Sequence, residues 1–140
     1  MDSLEFEGRI ALVTGGSRGI GRACCERLAR AGADIAINYR TNISAAQETA
    51  KMVSRLGRKA HIVMADVASA ESVASMIAEV RDRLGDIDLL VNNAGIFDYL
   101  SHEETTPEIW QRTLDTNLTG AYYVIWAVKD SMIRRSFGRI

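Results

Sequence analysis

Apolar positions along the 140-residue chain fall into blocks that alternate between a period of two or less and a period near 3.6. The run RIALVTG (9–15) is short, β-rich and closed by glycine, and predicts a strand. Ala23, Arg27, Leu28 and Ala31 then recur at helical spacing, with Gly32 as the stop. DIAINY (34–39) predicts a second strand. Ser44-Ala45-Ala46-Gln47 has the form of a capping box and predicts a helix that closes at Gly57. AHIVMAD (60–66) predicts the third strand; Val73, Met76, Ile77, Val80 and Leu84 predict an amphipathic helix ending at Gly85. IDLLVNNAG (87–95) predicts a fourth strand and its turn. Thr106, Pro107 and Glu108 are a cap, a first position and a first-turn acid for one more helix. Residues 114, 118, 121, 125, 128 and 132 keep one apolar or small face to about Arg135, and the pattern hesitates only near Asn117. Gly138 reads as a breaker, and Arg139-Ile140 as the first step of a fifth strand.

Strand and helix in strict alternation, with buried-looking strands, imply parallel βαβ units joined by right-handed crossovers. The expected fold is α/β, a doubly wound parallel sheet, one domain over 1–140 that stops at the start of its fifth strand. No Ser/Pro-rich linker or low-complexity segment divides it. A hydrophobic fraction of 47% suits a single core of this length. Seventeen basic against 18 acidic residues, without a run of either sign, argue against a nucleic-acid or membrane-surface partner. The start, MDSLEFEGR, is acidic and unlike a signal peptide, so a cytoplasmic location is expected. Adjacent Cys24 and Cys25 on a helix are poorly placed for a disulfide and read as small hydrophobes. The Asn42 and Asn117 sequons read as chance without a secretory signal, and neither His61 nor His102 has the spacing of a metal ligand.

Chemistry enters with VTGGSRGIG (13–21), which follows the first strand and opens the first helix. Glycines at 15, 19 and 21 allow a tight turn, close approach to a pyrophosphate and packing of helix on strand. The helix N-terminus would offer free N–H groups and a positive dipole end to the phosphates. The spacing is G-x-x-x-G-x-G, and the competing reading is a tight turn with no ligand.

The segment 14–21 (TGGSRGIG), with Asp66-Val67, Asn92-Asn93-Ala94-Gly95 and Asp115-Thr116-Asn117, strongly resembles the short-chain dehydrogenase/reductase family, over about Gly8 to Ile140. Within it the chain looks most like the 3-oxoacyl-acyl-carrier-protein reductase and glucose dehydrogenase types. The resemblance implies a Rossmann-type sheet of order 3-2-1-4 and a bound NADP(H), with NAD(H) the alternative. It implies that Gly15, Gly19, Ile20 and Gly21 line the pyrophosphate and that Ser17 and Arg18 of the same loop also bind the cofactor. It implies that Asp66 accepts from the adenine amino group while Val67 offers its backbone, and that Asn93, Ala94 and Gly95 floor the ribose. Taken singly, Asp66 also reads as a loop or cap carboxylate, and 93–95 as an ordinary turn. Asn117 would hold a water linked to an active-site lysine; the other reading is a plain helix kink. At the end of the second strand Asn38-Tyr39-Arg40 lacks the acid that would bond a ribose 2′-OH. Arg18 and Arg40 would instead approach a 2′-phosphate, and Tyr39 would line the same end. Each arginine alone also reads as a solvated charge.

The family's reaction further implies a tyrosine acid/base, a lysine four residues later and an upstream serine. Tyr39, Tyr99, Tyr122 and Tyr123 are followed four positions on by Ile43, Glu103, Trp126 and Ala127, so none forms that pair. The 140 residues are therefore expected to bind nucleotide without turnover, as the cofactor half of an oxidoreductase that moves hydride between nicotinamide and a carbonyl or secondary alcohol. The alternatives are a non-catalytic nucleotide-binding module, or a chain that only associates with a full-length relative. The fourth strand is expected to be a bare apolar edge. Tyr122, Tyr123, Trp126 and Ile133 on the long helix 107–135 are expected to meet another subunit in a homo-oligomer.

Overall fold

The computed structural model describes residues 4–140; the first three residues of the acidic start lie outside it. Four parallel strands, β1 (Ile10–Val13), β2 (Asp34–Tyr39), β3 (Ala60–Met64) and β4 (Leu89–Val91), form one sheet in the order β3-β2-β1-β4. Their registers pair Val13 with both Ile37 and Val91, and Tyr39 with Met64, so all four carboxyl ends reach one edge. The helices α1 (Gly19–Arg30), α2 (Ile43–Arg55), α3 (Ala70–Arg83), α4 (Pro107–Leu114) and α5 (Gly120–Arg134) fill the crossovers and the last segment. This is the Rossmann-type doubly wound arrangement that alternating blocks predict.

Strand side chains alternate between two cores. Ala11, Val13, Ile35 and Ile37 face α1 and α2 with Cys25, Ala29 and Val53. Leu12, Ala36 and Val63 face α3 and α5, where Val73, Met76, Val80, Val124 and Val128 close the layer. Each fully buried Val, Leu or Ile contributes about 1.5–3 kcal/mol, which is why continuous apolar strands belong to a sheet covered on both faces.

Several boundaries differ from the sequence pattern, each for a local reason. Helix α2 starts two residues earlier than the Ser44 capping box implies, because Asn42 is the cap and its Oδ1 accepts from Ala45 N–H at 3.0 Å. β3 ends two residues before Asp66, and β4 keeps only three residues of the predicted run. The long helix 107–135 is two α-helices joined by a π-helical turn, Asp115–Thr119. That wider turn rotates the buried face, so Leu118 is exposed and Thr116, Gly120, Val124 and Ser131 are buried, while Val128 and Met132 stay buried as the pattern predicts. Tyr123 packs partly against the core, whereas Tyr122, Trp126 and Ile133 remain exposed.

The fourth strand is also less bare than expected. Arg139 makes a parallel bridge to Leu89, with Leu90 N–H donating to its carbonyl at 2.9 Å and Arg139 N–H donating to Asp88 O at 3.0 Å. Leu89 and Leu90 are buried between the two helical layers, so what stays open is backbone edge rather than apolar side chains.

Candidate functional site

The turns leaving all four strands border one cleft of about 480 Å³ at the carboxyl edge. That size lies within the range of small-molecule and cofactor sites. Its lining includes Gly15, Ser17, Arg18, Gly19 and Ile20 after β1, Tyr39 and Arg40 at the end of β2, Asp66 and Val67 after β3, and Asn93, Ala94 and Gly95 after β4. Every predicted cofactor residue except Gly21 therefore faces one space, and Gly21 lies directly beneath it.

Gly21 is buried in the first turn of α1, where a Cβ would run into the carbonyl of Gly15. Gly15 itself holds φ +62, a conformation that L side chains rarely adopt. At Gly15 and Gly21 the loop thus has no room for a side chain, which leaves its backbone open to an anion. The start of α1 supplies the electrostatics. Asn42, Ser69 and Thr106 cap α2, α3 and α4 through their side chains. Arg18, at the same position of α1, makes no such bond, and no acid sits in the first turn of α1. Gly19 and Ile20, the first residues of α1, line the cleft, and no acid in that turn offsets the positive dipole end, which fits the pyrophosphate of a dinucleotide.

The loop is held in shape by residues that the sequence pattern did not single out. Asn38 is a buried polar residue inside an apolar strand, 2% exposed. Its Oδ1 accepts from Gly15 N–H at 3.2 Å, while its Nδ2 lies 3.2–3.4 Å from the carbonyls of Tyr39, Val63 and Ala65. Thr14 Oγ1 accepts from Asn93 N–H and Ala94 N–H, each at 3.0 Å, and Asn93 Nδ2 donates to the carbonyls of Thr14 and Gly15 at 3.0 and 3.1 Å. A polar residue breaking an otherwise apolar strand block was the available signal for both. Thr41, Asn42, Ala65, Ile96 and Thr116 also border the cleft, brought there only by tertiary packing.

The structure distributes the remaining predicted residues unevenly. Asp66 Oδ1 accepts from Ala68 N–H at 2.9 Å, so the loop-carboxylate reading holds for one oxygen even though the residue lines the cleft. Val67 buries its side chain against Gly120, leaving its backbone to the cleft. Arg18 and Arg40 are exposed at the cleft rim, and Tyr39 is buried with an edge in it. Ile20 is 77% exposed at the mouth, an apolar side chain with no protein partner covering it.

Asn117 sits in the middle of the π-helical turn and reaches across to the exit of β4. Its Oδ1 accepts from Ile96 N–H at 2.7 Å and its Nδ2 donates to Ile96 O at 2.8 Å. The hesitation in the helical pattern is therefore a backbone clamp on the β4 loop as well as a kink.

Cys25 lies beneath the loop with its Sγ 3.8 Å from Gly16 O. Burial, then the neighbouring Cys24, push its thiol up to about 12, so it is an inert packed thiol at neutral pH. His61 Nε2 is 2.7 Å from Glu79 Oε1, and among the described residues no His, Cys, Asp and Glu cluster could hold a metal. No helix of the described residues is long and apolar enough to cross a membrane.

Comparison with known proteins adds identity to geometry. A family model described as short chain dehydrogenase matches residues 9–140. L-rhamnose 1-dehydrogenase (NAD(P)(+)) of Sphingomonas sp. is 36% identical over 133 residues, 95% of this chain and 52% of its own. The 3-oxoacyl-acyl-carrier-protein reductase of Synechocystis sp. is 39% identical over 132 residues, 94% of this chain and 53% of its own. The crystal structure of an NAD+-bound xylitol dehydrogenase superposes with a TM-score of 0.90 at 35% identity, covering 97% of this chain and 52% of that one. The chain spans about half the length of the curated relatives it matches.

Proposed function

The chain belongs to the short-chain dehydrogenase family, and from that membership we propose that it is the cofactor-binding half of an NADP(H)-dependent oxidoreductase acting on a carbonyl or secondary alcohol. The observation that carries this reading is the N-terminus of α1, without a side-chain cap, beside a glycine loop that has no room for a side chain at Gly15 and Gly21. The dinucleotide, when bound, supplies or accepts the hydride. Gly15, Ser17, Gly19, Ile20 and Gly21 would seat its pyrophosphate, Asp66 and Val67 its adenine, and Asn93, Ala94 and Gly95 its nicotinamide ribose. Asn117 would hold the β4 exit in place and offer a proton-relay position. The 140 residues read as one incomplete nucleotide-binding domain.

NADP(H) is favoured over NAD(H) because β2 ends in Asn38-Tyr39-Arg40 without an acid, while Arg18 and Arg40 share the rim of the cleft. Guanidinium geometry suits a 2′-phosphate, and a charge-assisted hydrogen bond contributes about 1.5–3 kcal/mol. Arg40→Ala should weaken NADPH about tenfold or more and leave NADH nearly unchanged in calorimetric titration. Tighter NADH binding by the parent chain, or undiminished NADPH affinity in Arg40→Ala, defeats the NADP(H) preference.

The exposed stripe Leu118, Tyr122, Trp126 and Ile133 on the π-turn and α5 supports a homo-oligomer. Light scattering should find the chain associated, and Trp126→Lys should shift it toward monomer; a clean parental monomer removes this part of the proposal.

A further inference from the structure

We propose that Arg22 and Thr49 are positioning residues: they form a strut that sets the gap between the glycine loop and the β2–α2 loop, and through it the choice of a 2′-phosphorylated dinucleotide. The inference rests on the NADP(H) reading, since Arg18 lies on the first loop and Arg40 on the second.

Arg22 follows Gly21 in the first turn of α1 and does not line the cleft. Its guanidinium is spent on backbone and on α2. Nε donates to Thr49 Oγ1 at 2.9 Å; Nη2 donates to Ser17 O at 3.0 Å and to Ala45 O at 3.1 Å. Thr49 is fully buried on α2, and its hydroxyl lies 3.1 Å from the same Ser17 carbonyl and 3.2 Å from Ala45 O. Two donors from different helices therefore converge on the one carbonyl that precedes Arg18. Ala45 belongs to the first turn of α2, whose cap, Asn42, stands two residues after Arg40.

The contact to Glu48 at 3.2 Å is exposed and adds little, because surface ion pairs are screened. The force of the arrangement lies in the planar fork, which bonds two carbonyls and a hydroxyl in fixed geometry; a lysine ammonium has no such fork. Two arginines on separate loops hold one phosphate well only if their spacing is set before the ligand arrives, since ordering them afterwards costs affinity. A mere tether between α1 and α2 would steady the fold without altering ligand choice.

The test compares adenosine 2′,5′-bisphosphate with 5′-AMP by calorimetry, on the parent chain, Arg22→Met, Arg22→Lys, Thr49→Val and Thr49→Ser. Thermal unfolding identifies variants that remain folded. The bisphosphate should lose about tenfold in affinity in Arg22→Met, Arg22→Lys and Thr49→Val, the scale of one lost hydrogen bond to a charged group. The affinity for 5′-AMP should change less, and Thr49→Ser should retain the parental ratio. Folded variants that keep that ratio overturn the strut. A parent chain without preference for the bisphosphate overturns the NADP(H) reading instead. Amide exchange without ligand then decides the strut by itself. The amide of residue 22, bonded to Arg18 O, and those of Ala45 and Ala46, bonded to Asn42, should lose protection together in Arg22→Met, and unchanged protection on either side overturns it.

Discussion

Two stretches at the carboxyl edge of the sheet are built on opposite terms. From Thr14 to Gly21 the backbone is laced to Asn38, Thr49 and Asn93, and the segment ends on a helix whose first residues, Gly19 and Ile20, line the cleft. From Phe97 to Thr106 the chain is exposed, with Phe97 and Tyr99 80% and 98% accessible and in edge-to-face contact at 5.5 Å. That stretch is held by the Asn117 clamp at Ile96, an ion pair between Asp98 and Arg112, and hydrogen bonds from Ser101 to Glu104. Hydrogen bonds to Ser101, from its backbone N–H and then its hydroxyl, lower the pKa of Glu104. The difference teaches where preorganisation is required. A diphosphate is recognised by backbone dipoles that must already point the right way, and here the amides of Gly15 and Gly16 and the carbonyls of Thr14, Gly15 and Ser17 are bonded beforehand. The exposed stretch carries no such demand among its own atoms.

The largest expected effect concerns turnover. The 140-residue chain should oxidise NADPH with small ketones or β-keto thioesters no faster than background at any pH. No tyrosine in it is followed four positions on by lysine, and general acid catalysis typically supplies about 10²–10⁴-fold. Reproducible turnover in the absorbance assay that disappears in Asn117→Ala would break the division of labour, because another residue of the chain would then serve as the acid.

Thr14→Val comes next. It leaves the N–H groups of Asn93 and Ala94 without their acceptor at a site 1% exposed, which should cost about 1–3 kcal/mol in denaturant unfolding. A cost within 0.5 kcal/mol, roughly the range of an ordinary surface change, would mean that the anchored half is not anchored there.

Cys25 offers a smaller test of the same half. Its folded pKa is raised from 9.0 to about 12, so its contribution to stability is full below pH 9 and is lost as pH rises toward 12. Between pH 8 and pH 10 the loss is about 1 kcal/mol, seen as a steeper alkaline decline in the parent than in Cys25→Ala. Equal slopes, or reaction of Cys25 with a thiol reagent as fast as Cys24, contradict the burial argument. Tyr99→Ala, in the open stretch, should move stability by less than about 0.5 kcal/mol; a larger loss would show that stretch to be packed after all.

Much of this was legible in the residue pattern, because the signals are local. The helix after Thr106 followed from a cap, a proline and a first-turn acid, each acting within one turn. The parallel sheet followed from alternation and handedness, its order from the family resemblance, and the glycine loop from steric needs that only residues without a side chain meet. Asn117 was visible as an interruption in a helical face.

What the pattern could not reveal depends on residues distant in sequence. Ser44-Ala45-Ala46-Gln47 has a legitimate capping form, yet Asn42 caps α2 because β2 delivers the chain to that point. Leu118 belongs to an apolar series, but the π-helical turn that lets Asn117 reach Ile96 turns it to the surface. Asp66 carries the same residue type in either role, and only the placement of Ala68 commits one of its oxygens. The sequence by itself determined the alternating elements, the parallel sheet and the loop where an anion fits, since periodicity and backbone sterics act over a few residues. The tertiary structure alone decided which polar groups meet across strands, from Asn38 beneath the loop to Arg22 and Thr49 beside it. Hydrogen-bond partners 23 to 32 residues apart leave no mark in local spacing.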